Sequence, residues 1–207
     1  MGTQKIAEKT RAHSGVGGAL RAGTRRRAFL QGSNIYLRAL EERDLTSDYF
    51  QWLQDDEICR QNSHAVFPNT EKAMLEFLRR AQDTGAAVVL AIISKAEDRH
   101  VGNVSLQQID WVSRNAEFAI LIGSLEAHGQ GIGSEAAELV VRYGFERLNL
   151  HRIYCGTFAE NLAMRRLAEK LGMKGEGVRR QAAYKSGRYV DVHEYGLLRE
   201  EFLGRRG

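Results

Sequence analysis

The segment Glu126-Ala127-His128-Gly129-Gln130-Gly131-Ile132-Gly133-Ser134-Glu135-Ala136 holds the residue types best suited to bind an anion. Glycines at alternate positions let the main chain approach a ligand closely, with several N–H groups turned inward. A helix beginning here adds the positive end of its dipole. Together these make a pyrophosphate cradle that needs no cationic side chain. Gly131-x-Gly133-x-x-Ala136 also matches the dinucleotide fingerprint. In that arrangement the glycines directly follow the first strand of the domain. Here several strands precede them, the nearest ends near Ile122, and no second βαβ unit with an acidic ribose ligand follows. No Gly-Lys-Ser/Thr is present, which excludes a Walker loop.

Glu117, in Asn115-Ala116-Glu117-Phe118-Ala119-Ile120, is the only acid in an apolar strand. Partial burial would raise its pKa and suit it to take a proton near neutral pH. The two cysteines, Cys59 and Cys155, show no metal-ligand spacing and are far too few for a disulfide scaffold. Cys155 lies in a small apolar strand, where cysteine is usually core. His151 and His193 are spaced for nothing recognisable.

The elements that must position these residues follow from periodicity. Ile35 to Leu40 alternates as a first strand, and Leu45, Tyr49, Trp52 and Leu53 share one helical face. A turn-rich stretch from Asn62 to Asn69 holds the only proline. Met74, Phe77, Leu78 and Ala81 form a second helical stripe that stops near Gly85. Three strands then follow: Ala86 to Ser94, Val101 to Ile109 and Ala116 to Ile122. A long helix is predicted from Ser134 to Leu148, a strand over Arg152 to Phe158, and a helix over Asn161 to Leu171 that Gly172 caps. Two closing strands, Lys174 to Tyr184 and Arg188 to Leu198, flank a Lys185-Ser186-Gly187 turn. The order β-α-α-β-β-β-α-β-α-β-β describes a mixed α/β domain rather than a strict βαβ repeat.

Length and charge bound the rest. At ~150 residues per domain, 207 residues make one domain with a tail. Apolar residues at 43% and charged residues at 27% suit a globular chain. The longest apolar run, Ala86 to Ile93, falls far short of the ~18 residues of a membrane span. The net charge of +4 is unevenly placed. Residues 1–33 hold Lys5, Lys9, Arg11, Arg21, Arg25, Arg26 and Arg27 against Glu8, a charge of +6, which leaves −2 for the remainder. The expected organisation is a basic, disordered tail over 1–33 and a single domain over 34–207. The domain itself shows no sign of specific nucleic-acid binding. Arg26-Arg27-Ala28-Phe29-Leu30 looks like a twin-arginine export signal, but Gln31, Gly32, Ser33 and Asn34 follow where an apolar segment is required. A cytoplasmic protein with no membrane association is therefore expected, as monomer or homodimer.

The chain resembles the GCN5-related N-acetyltransferases from about Ile35 to Leu203. The family's Arg/Gln-x-x-Gly-x-Gly/Ala loop is similar to His128-Gly129-Gln130-Gly131-Ile132-Gly133, with His in the first position. Asn161-Leu162-Ala163-Met164 and Glu169-Lys170-Leu171-Gly172-Met173 resemble its Asn-x-x-Ala/Ser helix and Glu-Lys-Leu-Gly-Phe ending. Tyr36-Leu37-Arg38-Ala39-Leu40 with Asp44-Leu45, Trp52-Leu53 and Gly187-Arg188-Tyr189-Val190-Asp191 look like the branch that acetylates ribosomal-protein N-termini (Rim-type). Spermidine and nucleotide-amino-sugar acetyltransferases share much of that pattern.

The resemblance implies a mostly antiparallel central sheet flanked by helices, with a splayed strand pair holding acetyl-CoA as co-substrate and no metal. It implies that His128, Gly129, Gly131, Ile132, Gly133 and Ser134 hold the pyrophosphate. The pantetheine arm would pair with the main chain at Leu121 and Ile122, and Asn161 would lie near the thioester. Glu117 would be the base that frees the acceptor amine. That acceptor is a protein N-terminal α-amine on the Rim-like reading, or a small amine such as a polyamine, amino sugar or aminoglycoside. A rival from another class is a non-catalytic coenzyme A-binding module tethered to RNA or ribosome by the basic tail. Where many relatives carry a tyrosine as general acid, this chain has Ala168.

Overall fold

The structure, a computed structural model, describes residues 28–62, 64, 66–83 and 85–205. Of the tail expected over 1–33, residues 1–27 lie outside the described residues. The stretch after them belongs to the domain, because Leu30–Gln31 form a short strand (β1) paired antiparallel with Ile35–Ala39 (β2). Leu30 is buried in the core, and the Phe29 ring stacks edge-on against Tyr143 at 5.1 Å. Two apolar side chains thus draw into the fold a segment whose glycine content reads as tail.

Two short helices follow, Glu42–Leu45 (α1) and Asp48–Trp52 (α2), where periodicity suggests one. Asp44 accounts for the break. Its carboxylate accepts the Glu41 N–H at 2.8 Å, capping α1, while its carbonyl accepts the Ser47 hydroxyl at 2.7 Å. A 3₁₀ turn at Ile58–Gln61 leads to Glu71–Asp83 (α3), then to strands Val88–Ser94 (β3), Arg99–Asp110 (β4) and Asn115–Ile122 (β5). Next come Ile132–Glu146 (α4), Arg152–Phe158 (β6), Leu162–Leu171 (α5), Lys174–Lys185 (β7), Arg188–Leu198 (β8) and a closing helix, Arg199–Gly204 (α6). Helix α4 begins at Ile132, two residues before the predicted Ser134. In α3, Met74, Leu78 and Ala81 are buried, whereas Phe77 is exposed and stands outside the packed stripe.

The strands form one sheet in the order β1-β2-β3-β4-β5-β6-β8-β7. Every pairing is antiparallel except β5 with β6. Both faces of its first half are covered, so side-chain alternation divides the core in two. Ile35, Leu37, Leu90, Ile92 and Phe118 pack with α4 and α5, whereas Tyr36, Ala91 and Ile93 pack with α1, α2 and α3. This is why β3 reads as one continuous apolar run. Helix α4 lies close to the sheet at Gly144, where a Cβ would stand 2.8 Å from Leu106 Cδ1 and 2.9 Å from Ile153 Cδ1. The approach explains a glycine that costs a helix interior ~1 kcal/mol relative to alanine.

Candidate active site

The site begins where the sheet splits. Strands β5 and β6 pair only through Asn115 with Arg152, Ala116 with Ile153 and Glu117 with Tyr154. Beyond Glu117, β5 keeps its partner β4 as far as Ile122, and β6 keeps β8 as far as Phe158. The two strands therefore diverge into a fork. Because the Gly123 N–H bonds to Val101 O at 3.0 Å, alternation turns the peptide groups of Leu121 and Ala119 toward β4. Those of Ile120 and Ile122 turn toward the gap. The Ile122 carbonyl is met there by His128 Nε2 at 3.0 Å. The pairing surface expected at Leu121 and Ile122 is thus offered by Ile120 and Ile122, and the Leu121 amide belongs to the β4 ladder.

The glycine loop closes one end of the gap. Gly129 and Gly131 have φ of 75° and 79°, a conformation costly for residues with a Cβ, and a Cβ at either would meet nothing within 4 Å. Gly131 is the N-cap of α4 and supplies no side-chain hydrogen bond. The first intrahelical bond runs from Glu135 N to Gly131 O at 3.0 Å. The N–H groups of Ile132, Gly133 and Ser134 are left at the positive end of a long helix. A Cβ at Gly133 would stand 3.6 Å from Ile122 Cγ1 and 3.8 Å from Ile120 Cδ1, which places the helix end beside the open half of β5. The Ile132 side chain turns into the core instead. Main-chain donors at a helix end and the open space at Gly129 and Gly131 fit the diphosphate of a coenzyme A thioester.

Glu117 stands at the vertex of the fork, on the sheet face shared with α1, α2 and α3. It is half-buried, and its Oε2 accepts a hydrogen bond from Gln108 Nε2 at 2.5 Å. Burial pushes its pKa above the ordinary glutamate value. The Gln108 hydrogen bond opposes the rise, nearby Glu194 adds to it, and Arg179 opposes it again. Asn161 caps α5, its Oδ1 accepting from Met164 N at 3.0 Å, and its Nδ2 reaches Gln61 O of the 3₁₀ turn at 3.2 Å. It therefore joins the helix on one side of the fork to the turn on the other. Ala168 is wholly buried in the core. Cys155 is core as well, with its Sγ 3.6 Å from Met173 Sδ and its thiol pushed up to about 12 by burial.

The candidate catalytic and cofactor-binding residues meet at a cleft of about 1350 Å³. Glu117, Leu121, Ile122, His128, Gly129, Gly131, Gly133, Ser134 and Asn161 all border it, so of the candidate catalytic and cofactor-binding residues only Ile132 does not. Sequence reasoning missed the floor supplied by β4, namely Asn103, Ser105 and Gln107, and the wall supplied by Leu45, Tyr49 and Met74. It also missed Gly123, where a Cβ would fall 1.9 Å from Trp52 Cδ2, so this glycine lets the indole lie over the end of β5. The isolated glycine after a strand was its only local signal.

A family model described as Acetyltransferase (GNAT) domain matches residues 34–174. The chain belongs to that family and is an acetyl-CoA-dependent N-acetyltransferase. It is similar to "Probable N-acetyltransferase YjcK" of Bacillus subtilis (strain 168), with 32% identity over 82% of this chain and 96% of that one. A spermidine N(1)-acetyltransferase of Vibrio cholerae is 32% identical over 55% of this chain and 65% of its own length. Among solved structures, the spermidine N-acetyltransferase of Vibrio cholerae in complex with CoA and spermine superposes with a TM-score of 0.76. It is 27% identical, covering 83% of this chain and 99% of that one.

Proposed function

We propose that this chain transfers the acetyl group of acetyl-CoA to a small primary amine, with Glu117 as the base. The observation that carries the reading is the position of Glu117, the last β5 residue paired before the fork opens. An amine is mostly protonated near neutral pH and cannot attack a carbonyl until a base takes its proton. Glu117 takes that proton, directly or through one water, and a positioned base is worth ~10²–10⁴-fold. Its raised pKa suits the task, since a carboxylate of higher proton affinity is the stronger base. Acetyl-CoA supplies the acetyl thioester and a tolerable leaving group. The turned-in amides of Ile120 and Ile122 and the N-terminus of α4 hold it, and Ala168 offers no acid.

The similarity to spermidine acetyltransferases supports a small amine over a protein N-terminus. The charge of the cleft narrows the choice further. Among the described residues that line it, the carboxylates Glu57 and Glu117 are matched by the cations Arg60 and Lys170, while Arg179 is already paired with Glu194 at 2.6 Å. A polycation gains little there, so amines with one charge are favoured. A competition reaction tests this. Acetyl-CoA and the enzyme meet a pool of N-terminal peptides, monoamines, polyamines, amino sugars and aminoglycosides, read by mass spectrometry. Acetylated small amines, the singly charged ones at lowest KM, support the proposal. Acetylation confined to peptide α-amines would replace it with the Rim-like reading.

A further inference from the structure

We infer that Gln108 is a positioning residue for the catalytic carboxylate, placed by a strained bulge in β4. The inference rests on Glu117 acting as the base. The register of β4 on β5 slips between Gln107 and Asp110, and Gln108 sits in the slip with φ of 51°. A non-glycine residue in the left-handed region of a strand costs conformational energy, and such strain is retained where it serves a site. What it delivers here is visible. The bulge turns the Gln108 amide onto Glu117, and Nε2 reaches Oε2 at 2.5 Å. In a regular strand Gln107 stands opposite Glu117 and Gln108 points to the other face.

An amide donor suits this place. It favours the ionised carboxylate without the full charge of an arginine, which would take more proton affinity from the base. Holding Oε2 also leaves Oε1 as the oxygen that takes the proton. The other groups facing Glu117 are Tyr154 on β6, Glu194 on β8 and Arg179 on β7. Arg179 is itself held by Glu194 at 2.6 Å, so this pair offsets within itself and Gln108 remains the principal support.

The test compares Q108G, Q108K and E117Q in the full chain. Glycine suits φ of 51°, so Q108G removes the amide while relieving the backbone, and its Tm should equal or exceed that of the wild type. Its kcat should fall about tenfold with the KM for acetyl-CoA unchanged, since only the orientation of the base is lost. The acid limb of its kcat/KM profile should move to higher pH, because a donor to the ionised form is gone. Q108K should move that limb the opposite way. A Q108G enzyme with wild-type kcat and acid limb, beside an inactive E117Q, would overturn the role of Gln108 and leave the base in place. Wild-type turnover in E117Q would remove the base itself, and this inference with it.

Discussion

Glu117 illustrates how a single side chain obtains its chemistry from its position in the sheet. One residue later along β5 there is no β6 neighbour, and one residue earlier the strand is closed on both sides. The vertex is the point at which a carboxylate is half-buried yet faces a cavity. Replacing it with glutamine keeps the shape and removes the proton acceptor. E117Q should lower turnover at least tenfold while the Kd for acetyl-CoA, measured by calorimetry, stays unchanged. Its Tm near neutral pH should be no lower than that of the wild type, because burial disfavours the ionised form that the substitution deletes. Activity of the wild-type enzyme should fall as pH drops through the raised pKa of Glu117, and a profile flat down to the ordinary glutamate range would contradict the assignment.

At the scale of the element, α4 serves two purposes with two glycines. Gly131 opens its N-terminus in the left-handed region, and Gly144 seats its body on the sheet. Valine at 131 would be strained at φ of 79° and would put methyl groups into the open space of the cradle. G131V should abolish acetyl-CoA binding while the far-UV circular dichroism stays native, and wild-type affinity would mean the cradle lies elsewhere. G144A probes the other end. Alanine gains helix propensity but meets Leu106 and Ile153 at under 3 Å, so the net effect should be a destabilisation of about 1–3 kcal/mol by denaturant titration. A variant as stable as the wild type would show that those two side chains can rotate away.

For the whole molecule, the cleft wall that includes Leu45 depends on how the small helices are tied to the sheet. Arg38 of β2 grips Asp44 of α1 with two hydrogen bonds, at 2.6 and 2.7 Å, and both side chains are buried. Burial pushes the Asp44 carboxyl up, but the Arg38 hydrogen bond and the Glu41 N–H outweigh it and leave its pKa below the ordinary aspartate value. With the folded pKa depressed, the pair contributes its full stability above the unfolded value and loses it as pH falls through the folded one. D44N should therefore cost about 3–5 kcal/mol at neutral pH, leaving a buried guanidinium without its counter-charge. The cost should shrink as pH drops below the carboxylate range. A constant difference between variant and wild type across that range would show that Asp44 does not titrate with folding.

Much of this site is legible in the residues themselves. The cradle depends on contacts within a few positions: glycines tolerate positive φ and a helix end has spare N–H groups, wherever the segment lies. The β-branched run of β3 and the stripe of α4 are equally local. Phe77 shows the limit, since its spacing places it in a stripe that packing leaves exposed. What only the tertiary structure decides is which strands stop pairing and which side chains meet there. The divergence of β5 from β6, the insertion of β8 between β6 and β7, and the Asn161 contact with Gln61 join residues far apart in the chain. Gln108 is the clearest case. Period-two alternation assigns it to the wrong face, and only the slip of β4 against β5 turns it toward Glu117. Local propensity sets φ, ψ and amphipathic period, but pairing register is settled by the competition of whole strands for one sheet, which no short window of residues contains.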